Sequence, residues 1–536
     1  MKQISFISVK RDECKYERLI DSIKRLRVPE GYYINFIETT AENGMAAAYE
    51  EARNVSNAEM NIYIDGNAEI IEEKLVDKLI DIYSSDDKIA IIGVTGAKYI
   101  PTSGLANESG KIYGQLKAES GSILTENPNR TFLNEVISVE GFFMAIKGNL
   151  AWRSDIFTGE SFYDTAECIE YKREGYKTVV AVDDNPWIKY DRVCGAATYE
   201  EQKIFLDEYS KDIYPLVSVV IPTFQRPEYF EEALKSVINQ TYRNLDIYIT
   251  DNSHDDRTCK LIQKYLRADS RIKYEFYPED EKEKNISRYY NYDNPKAEYV
   301  NYMMDDDLFK PEKIAKMIDY FLKYEDVSLV TSYRELIDNK GNRLPDASFS
   351  KPVAEETTVY DGIAAGNYLL KSSRNFIGEP TTVLVKKSIL NGRYKGWSGK
   401  EGRYNISDYP LWLRAMQYGN LVYIREPLSC FRIHAGQSIN NRGLLASGRI
   451  SFAYEIQYAI NNSKYLEKES DIRLAYMNWI LSAVPILELL ESKVETLAAK
   501  EKTDMKKIRD ILFDMSKYIS GNGTTDFEVD VVSEYY

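Results

Sequence analysis

Through roughly the first 440 residues, short apolar runs alternate with stretches whose apolar positions recur at helical spacing. Strand-length runs separated by amphipathic helices belong to an α/β fold with a largely parallel sheet. "VSVVIPT" (217–223) is a buried-strand pattern closed by Pro222. The next stretch, "PEYFEEALKSVINQ" (227–240), starts with proline and carries acids in its first turn, which predicts a helix. "LDIYIT" (245–250) predicts a second strand that ends at Asp251.

The pattern occurs twice. "ISFISVKRDECKYERLIDSI" (4–23) parallels "VSVVIPTFQRPEYFEEALKSV" (217–237) in strand, polar turn, tyrosine and helix. "AEMNIYIDGNAEIIEEKLVDKLIDIY" (58–83) parallels "AEYVNYMMDDDLFKPEKIAKMIDYF" (297–321), and "YDTAECIEYKREGYKTVVA" parallels "SDYPLWLRAMQYGNLVYI". Three matches in one order predict tandem domains of one fold, 1–210 and 211–440. From 441 to 536 the pattern becomes helical, ending in a polar tail, and such a region is an expected packing or homo-oligomerisation element.

Charge narrows the partners. A net charge of -15 disfavours nucleic acid, whose binders need basic faces, and tight docking on an anionic membrane. Five scattered cysteines form no CxxC pair, which gives no zinc site and fits reduced thiols in a cytoplasmic protein. The opening "MKQISFISVKRDE" has too short an apolar run for a signal peptide. The longest apolar stretch, "MNWILSAVPILELL", is shorter than a bilayer span and contains Pro485, so no transmembrane segment is expected.

The chemistry concentrates in 217–440. Ligands of doubly wound sheets bind at the carboxyl ends of strands. Asp251 follows one predicted strand, and Asp305, Asp306 and Asp307 follow "YVNYMM". Three adjacent carboxylates repel one another, by about 1 kcal/mol per contact pair in water and more in a drier site, and a cation between them reverses the sign. The D-x-D-x-D-G spacing of an EF-hand is absent. Asp408 opens "SDYPLWLRAMQYG", where it is either a helix cap or a reactive carboxylate facing the cleft. Asp251 reads equally as a turn or cap residue. The chain has two histidines, of which His254 in "SHDD" reads as solvated.

"VSVVIPTFQRPEYFEEALKSVINQTYRNLDIYITDNSHDD" resembles the opening of glycosyltransferase family 2, inverting enzymes of the GT-A fold. "AEYVNYMMDDDLFKPEKI" is similar to that family's metal-binding segment, "SDYPLWLR" to its catalytic-base segment and "EPLSCFRIHAGQS" to its closing motif. The resemblance implies a Mn²⁺ or Mg²⁺ cofactor, a UDP-sugar donor (UDP-glucose or a related UDP-hexose) and a glycan or glycoprotein acceptor. It makes Asp306 a metal ligand, Asp305 a contact to ribose and metal, and Asp307 a loop-ordering residue. The family's DxD signature would begin at Met304, so this chain carries an xDD variant. Asp251 and Asn252 match the uracil- and ribose-holding positions, Phe224 would line the base and Arg288 in "NISRYYN" would reach it. Asp408 matches the general base, and His434 in "RIHAG" a metal or diphosphate contact. Glu379 in "FIGEPTTV" is read as a donor-sugar or acceptor contact, or as a buried hydrogen-bonding group.

Residues 1–205 resemble glycosyltransferase-like domains of the same fold, but Asp65 stands alone in "IDGNAEI" and the unit contains no histidine. Asp164 keeps the base-like position. A lone carboxylate binds Mg²⁺ or Mn²⁺ poorly, so this half reads as a degenerate domain that grips acceptor or stabilises the assembly. Two other readings stay open: a bifunctional enzyme with both halves active, and a non-catalytic carbohydrate-binding protein.

Overall fold

The computed structural model describes residues 1–126, 131–191, 197–278, 288–390, 408–434 and 442–524. It consists of two compact units, Met1–Tyr214 and Pro215–Tyr536. The main sheet of the first unit runs in the order Tyr32–Thr39, Lys2–Val9, Met60–Ile64, Phe143–Ile146, Ile89–Gly93, Lys177–Ala181, Leu133–Val136. The first three pair in parallel, while Phe143–Ile146 enters antiparallel between Met60–Ile64 and Ile89–Gly93. Ile4, Phe6, Ile62 and Ile64 pack on one side of this sheet, and Ile7, Val9 and Tyr63 on the other. Alternate residues bury opposite faces, as a sheet covered on both sides requires.

The second unit repeats the first six strands of that succession and adds Ile272–Phe276 at the edge before them. Its sheet runs Ile272–Phe276, Leu245–Asp251, Leu216–Thr223, Ala297–Tyr302, Leu384–Lys386, Val327–Ile337, Asn420–Arg432, with Leu384–Lys386 antiparallel to both neighbours. The parallel register pairs Thr223 with Asp251 and Val220 with Tyr302, so three strand ends leave the sheet along one edge. The helix Pro227–Ile238 has its proline in the first turn and buries Phe230, Ala233, Leu234 and Val237 at spacings of three, one and three.

Helices Arg442–Asn462, Glu469–Glu491 and Ala499–Ile519 belong to this unit, because Trp479, Tyr476 and Ile508 share one core with Trp412, Tyr302 and Leu369. Glu469–Glu491 has 23 residues with a mean hydropathy of 1.3 over its most apolar window, long and apolar enough to cross a membrane, and 28% of that window is buried. The helix extends N-terminally beyond the apolar stretch read from sequence and keeps Pro485 inside it. Leu474, Met477, Leu481 and Val484 leave an apolar stripe exposed along it.

Candidate active site

The edge where the strands end gathers most of the sequence candidates. After Thr223 the chain turns sharply at Gln225, whose φ of 53° is left-handed, and the Gln225 N–H donates to Ser253 Oγ at 2.7 Å. This turn brings the Phe224 N–H to 3.4 Å from Asp305 Oδ2. It also delivers Arg226, whose Nη1 lies 2.9 Å from Asp306 Oδ2 and 3.7 Å from Asp305 Oδ1. Asp251 and Asn252 are fully buried. Asp251 Oδ1 accepts the Ser253 N–H at 2.8 Å and its Oδ2 accepts the Tyr274 hydroxyl at 2.7 Å, so its carboxylate ties the turn after its strand to the neighbouring strand. Arg288 lies over the Tyr277 ring, 3.6 Å from its centre, beyond the strand that supplies Tyr274.

The three aspartates divide their roles. Asp307 is wholly buried and held in place: Thr381 Oγ1 donates to Oδ2 at 2.6 Å and the Arg432 N–H to Oδ1 at 3.1 Å. Burial first, then the charge of Asp306, pushes its carboxyl well above the usual range. Asp305 and Asp306 keep a little exposure, 8% and 9%. Burial and the neighbouring Asp306 charge raise Asp305 to about 7. His434 Nε2 stands 3.0 Å from Asp306 Oδ2, and its ring packs 5.2 Å from that of Tyr229. His254 instead meets the Pro278 carbonyl at 3.2 Å and abuts Phe224 edge-on.

Asp408 opens the helix Asp408–Gln417. Its carboxylate takes its own and the Tyr409 backbone N–H, and Asn375 Nδ2 approaches it at 3.5 Å. Burial raises it to about 6. Glu379 precedes the turn Pro380–Thr382 and pairs through Oε2 with Arg334 Nε at 2.8 Å. Its buried Oε1 has no hydrogen-bond partner among the described residues. An unpartnered buried carboxylate oxygen costs about 1–3 kcal/mol, and a ligand hydroxyl would remove that cost.

Several residues that sequence inspection passed over hold this arrangement. Arg432, fully buried, donates from Nε to the Asp306 carbonyl at 2.7 Å and from Nη2 to Glu232 Oε2 at 2.5 Å. Thr381 and Arg226 act directly on the aspartates. Lys313, buried beneath the turn, donates to the Thr382 carbonyl at 3.2 Å, and desolvation drags its pKa down to about 7.

Among the described residues, no group of three or more His, Cys, Asp and Glu is drawn together as a ready metal cage. The donor set nevertheless fits a hard cation. Asp305 and Asp306 offer adjacent oxygens, His434 lies against Asp306, and Asp305 is raised by burial first and then by the Asp306 charge, against which Arg226 acts.

The corresponding edge of the first unit is different. Asp65 Oδ1 accepts the Asn67 N–H at 2.8 Å, and Arg11 Nε lies 3.9 Å from Oδ2. Asp164 is consumed by the fold: Oδ2 accepts the Gly141 N–H at 2.8 Å and Oδ1 the Thr165 N–H at 2.7 Å.

Comparison with known proteins accords with both halves. Residues 5–209 match the family model described as a glycosyltransferase-like family, and residues 218–390 match that of glycosyl transferase family 2. The chain belongs to glycosyltransferase family 2 and carries two tandem glycosyltransferase domains of GT-A-like α/β fold followed by a helical region. It is similar to an uncharacterized glycosyltransferase of Rickettsia typhi, 29% identical over 234 residues, which is 42% of this chain and 66% of the relative. A GalNAc(5)-diNAcBac-PP-undecaprenol beta-1,3-glucosyltransferase of Campylobacter jejuni is 24% identical over 48% of this chain and 78% of its own length. Among solved structures, S. aureus TarS 1–349 in complex with UDP-GlcNAc aligns at TM-score 0.35 and 15% identity, covering 59% of this chain and 95% of that one. The mannosyltransferase PcManGT from Pyrobaculum calidifontis, in complex with GDP-Man and Mn²⁺, aligns at 0.32 and 14%, covering 57% and 87%.

Proposed function

We propose that the second unit is a metal-dependent, inverting hexosyltransferase that uses a UDP-sugar, UDP-glucose or a close relative, and a hydroxyl of a glycan or glycoprotein. The observation that carries this reading is the separation of two kinds of carboxylate: the Asp305–Asp306 pair at the strand end, and Asp408 apart from it on a helix, raised by burial to about 6. A general base works best with its pKa near the operating pH.

In this reading Phe224, Asp251 and Asn252 hold the uridine, with Arg288 beside them. Asp305, Asp306 and His434 would hold Mn²⁺ or Mg²⁺, which when bound neutralises charge on the departing diphosphate. Asp408 accepts the proton of the acceptor hydroxyl as that oxygen bonds to the anomeric carbon. The bond from that carbon to the diphosphate breaks on the opposite face, so configuration inverts and no enzyme nucleophile is needed. Glu379 Oε1 takes a hydroxyl of the donor sugar or acceptor. Arg432, Thr381 and Lys313 position the aspartates and the turn beside them.

A cytoplasmic setting and self-association through the helical region belong to the same proposal. The first is supported by unpaired Cys14, Cys168, Cys259 and Cys430, the second by the apolar stripe at Leu474, Met477 and Leu481. The bifunctional alternative is disfavoured, since Asp65 stands without the neighbouring carboxylate that Asp305 gives Asp306 and a lone carboxylate holds a hard cation poorly. The test is a panel of nucleotide sugars scored for metal-dependent nucleotide release. UDP-hexoses are expected to turn over, and turnover of GDP-sugars alone would overturn the donor assignment.

A further inference from the structure

Among the described residues, one side chain donates toward the proposed base: Asn375, whose Nδ2 stands 3.5 Å from Asp408 Oδ2. The rest of the Asn375 amide fixes the direction of that donor. Oδ1 accepts the Gly378 N–H at 3.1 Å and Nδ2 donates to the Gly378 carbonyl at 3.0 Å, so the amide spans both backbone groups of one residue. A flipped amide would set N–H against N–H and oxygen against oxygen, so a hydrogen on Nδ2 is what faces Asp408.

The loop that carries this amide is held firmly. Gly378 has a φ of 105°, and a Cβ there would stand 2.7 Å from Thr382 Oγ1. The Ile377 carbonyl before it accepts the Thr331 hydroxyl at 2.7 Å from strand Val327–Ile337. Trp412, one turn along the helix that Asp408 opens, donates from Nε1 to the same Gly378 carbonyl at 3.2 Å. Asn375 and the base's own helix are thus tied to a single oxygen.

Few other charges face the carboxylate. Glu379, paired with Arg334, adds its negative charge to the effect of burial, and the Tyr289 phenol lies in the field of Asp408. Glu455 and Arg449 of helix Arg442–Asn462 face the neighbouring Tyr409. An N–H held against a carboxylate favours its charged form, and only that form can take a proton.

We propose that Asn375 is a positioning residue for the transfer reaction, holding an N–H on Asp408 Oδ2 so that the base stays ionised until the acceptor hydroxyl gives up its proton. The inference rests on the reading of Asp408 as that base.

The test is the pH dependence of kcat/KM for nucleotide release by the full chain with Mn²⁺, using the nucleotide sugar that turns over fastest, in the parent, Asn375→Ala and Asn375→Asp. The acid limb, near pH 6 in the parent, is expected to move to about pH 7 in Asn375→Ala and higher in Asn375→Asp, whose carboxylate adds a like charge. Asn375→Ala should lose roughly fivefold at about pH 6 yet stay within about threefold of the parent at about pH 8.5, with the loss in kcat and not in KM. Both variants should keep the parent's thermal shift with UDP and Mn²⁺, which shows that they fold. A limb that stays near pH 6 in both variants, or an equal loss at every pH, overturns the proposal. Failure of both variants to fold overturns it too, by making Asn375 a structural residue. A parent chain that turns over no nucleotide sugar refutes the transferase reading and this inference with it, whereas turnover with an unmoved limb refutes this inference alone.

Discussion

The two units share a strand succession yet differ in what their carboxylates are free to do. In both, an arginine follows the first strand and reaches toward an aspartate at the end of a strand paired parallel to it, Ala297–Tyr302 or Met60–Ile64: Arg226 to Asp306 at 2.9 Å, Arg11 to Asp65 at 3.9 Å. In both, an aspartate stands in the first turn of the matching helix, Asp408 or Asp164, and burial raises each. The difference lies in number and in partners. Asp305 and Asp306 are adjacent and share the one Arg226 guanidinium, so two carboxylates oppose each other there, whereas Asp65 has no adjacent carboxylate and faces Arg11 by itself. Asp164 is locked by the Gly141 N–H, while Asp408 meets only a long approach from Asn375 beyond its own helical turn. Duplication preserved the scaffold, and reactivity follows which carboxylate oxygens the fold leaves available.

The largest contrast should come from the strand-end aspartates. Asp306→Ala is expected to lower transfer by roughly a thousandfold or more, since cation-based charge stabilisation contributes several kcal/mol. Asp65→Ala is expected to stay within about twofold in the same UDP-release assay, and a dead Asp65→Ala enzyme would restore the bifunctional reading. The base positions come next. Asp408→Asn should lose about 10²–10⁴-fold in turnover while UDP binding by calorimetry stays near that of the parent. Asp164→Asn should act on stability instead, costing about 1–3 kcal/mol through a disturbed N–H contact, read by chemical unfolding.

A smaller effect is expected at His434. His434→Ala should weaken Mn²⁺ binding by roughly 10–100-fold, measured by electron paramagnetic resonance in the presence of UDP. The mildest lever is pH. Asp408 must be ionised to take a proton, and burial lifts it to about 6. The kcat/KM of the reaction should therefore fall about tenfold per unit below pH 6 and level off above it. A limb near pH 4 would mean that the base is an exposed carboxylate.

Local features were legible from sequence because they depend on neighbours along the chain. The strand expected at 217–223 is Leu216–Thr223, and the helix expected from 227 starts at Pro227. The aspartate run, Asp408 and His434 could be picked out from sequence, and the structure brings His434 to Asp306. What escaped was contact across distance. Arg432 supports Asp306 and Asp307 from more than a hundred positions away. Lys313 reads in sequence as an ordinary surface lysine after proline, yet it is buried. Only folding shows that Asp164 accepts the Gly141 N–H, 23 positions away. The length of helix Glu469–Glu491 was also hidden, because its polar N-terminal part masked its continuity.

The most direct measurement is the anomalous scattering of manganese in crystals grown with UDP and Mn²⁺. The account predicts one strong peak within coordination distance of Asp305 or Asp306 in the second unit, and none beside Asp65. A peak at Asp65, or a nucleotide seated in the second unit with no manganese against its aspartates, would contradict it.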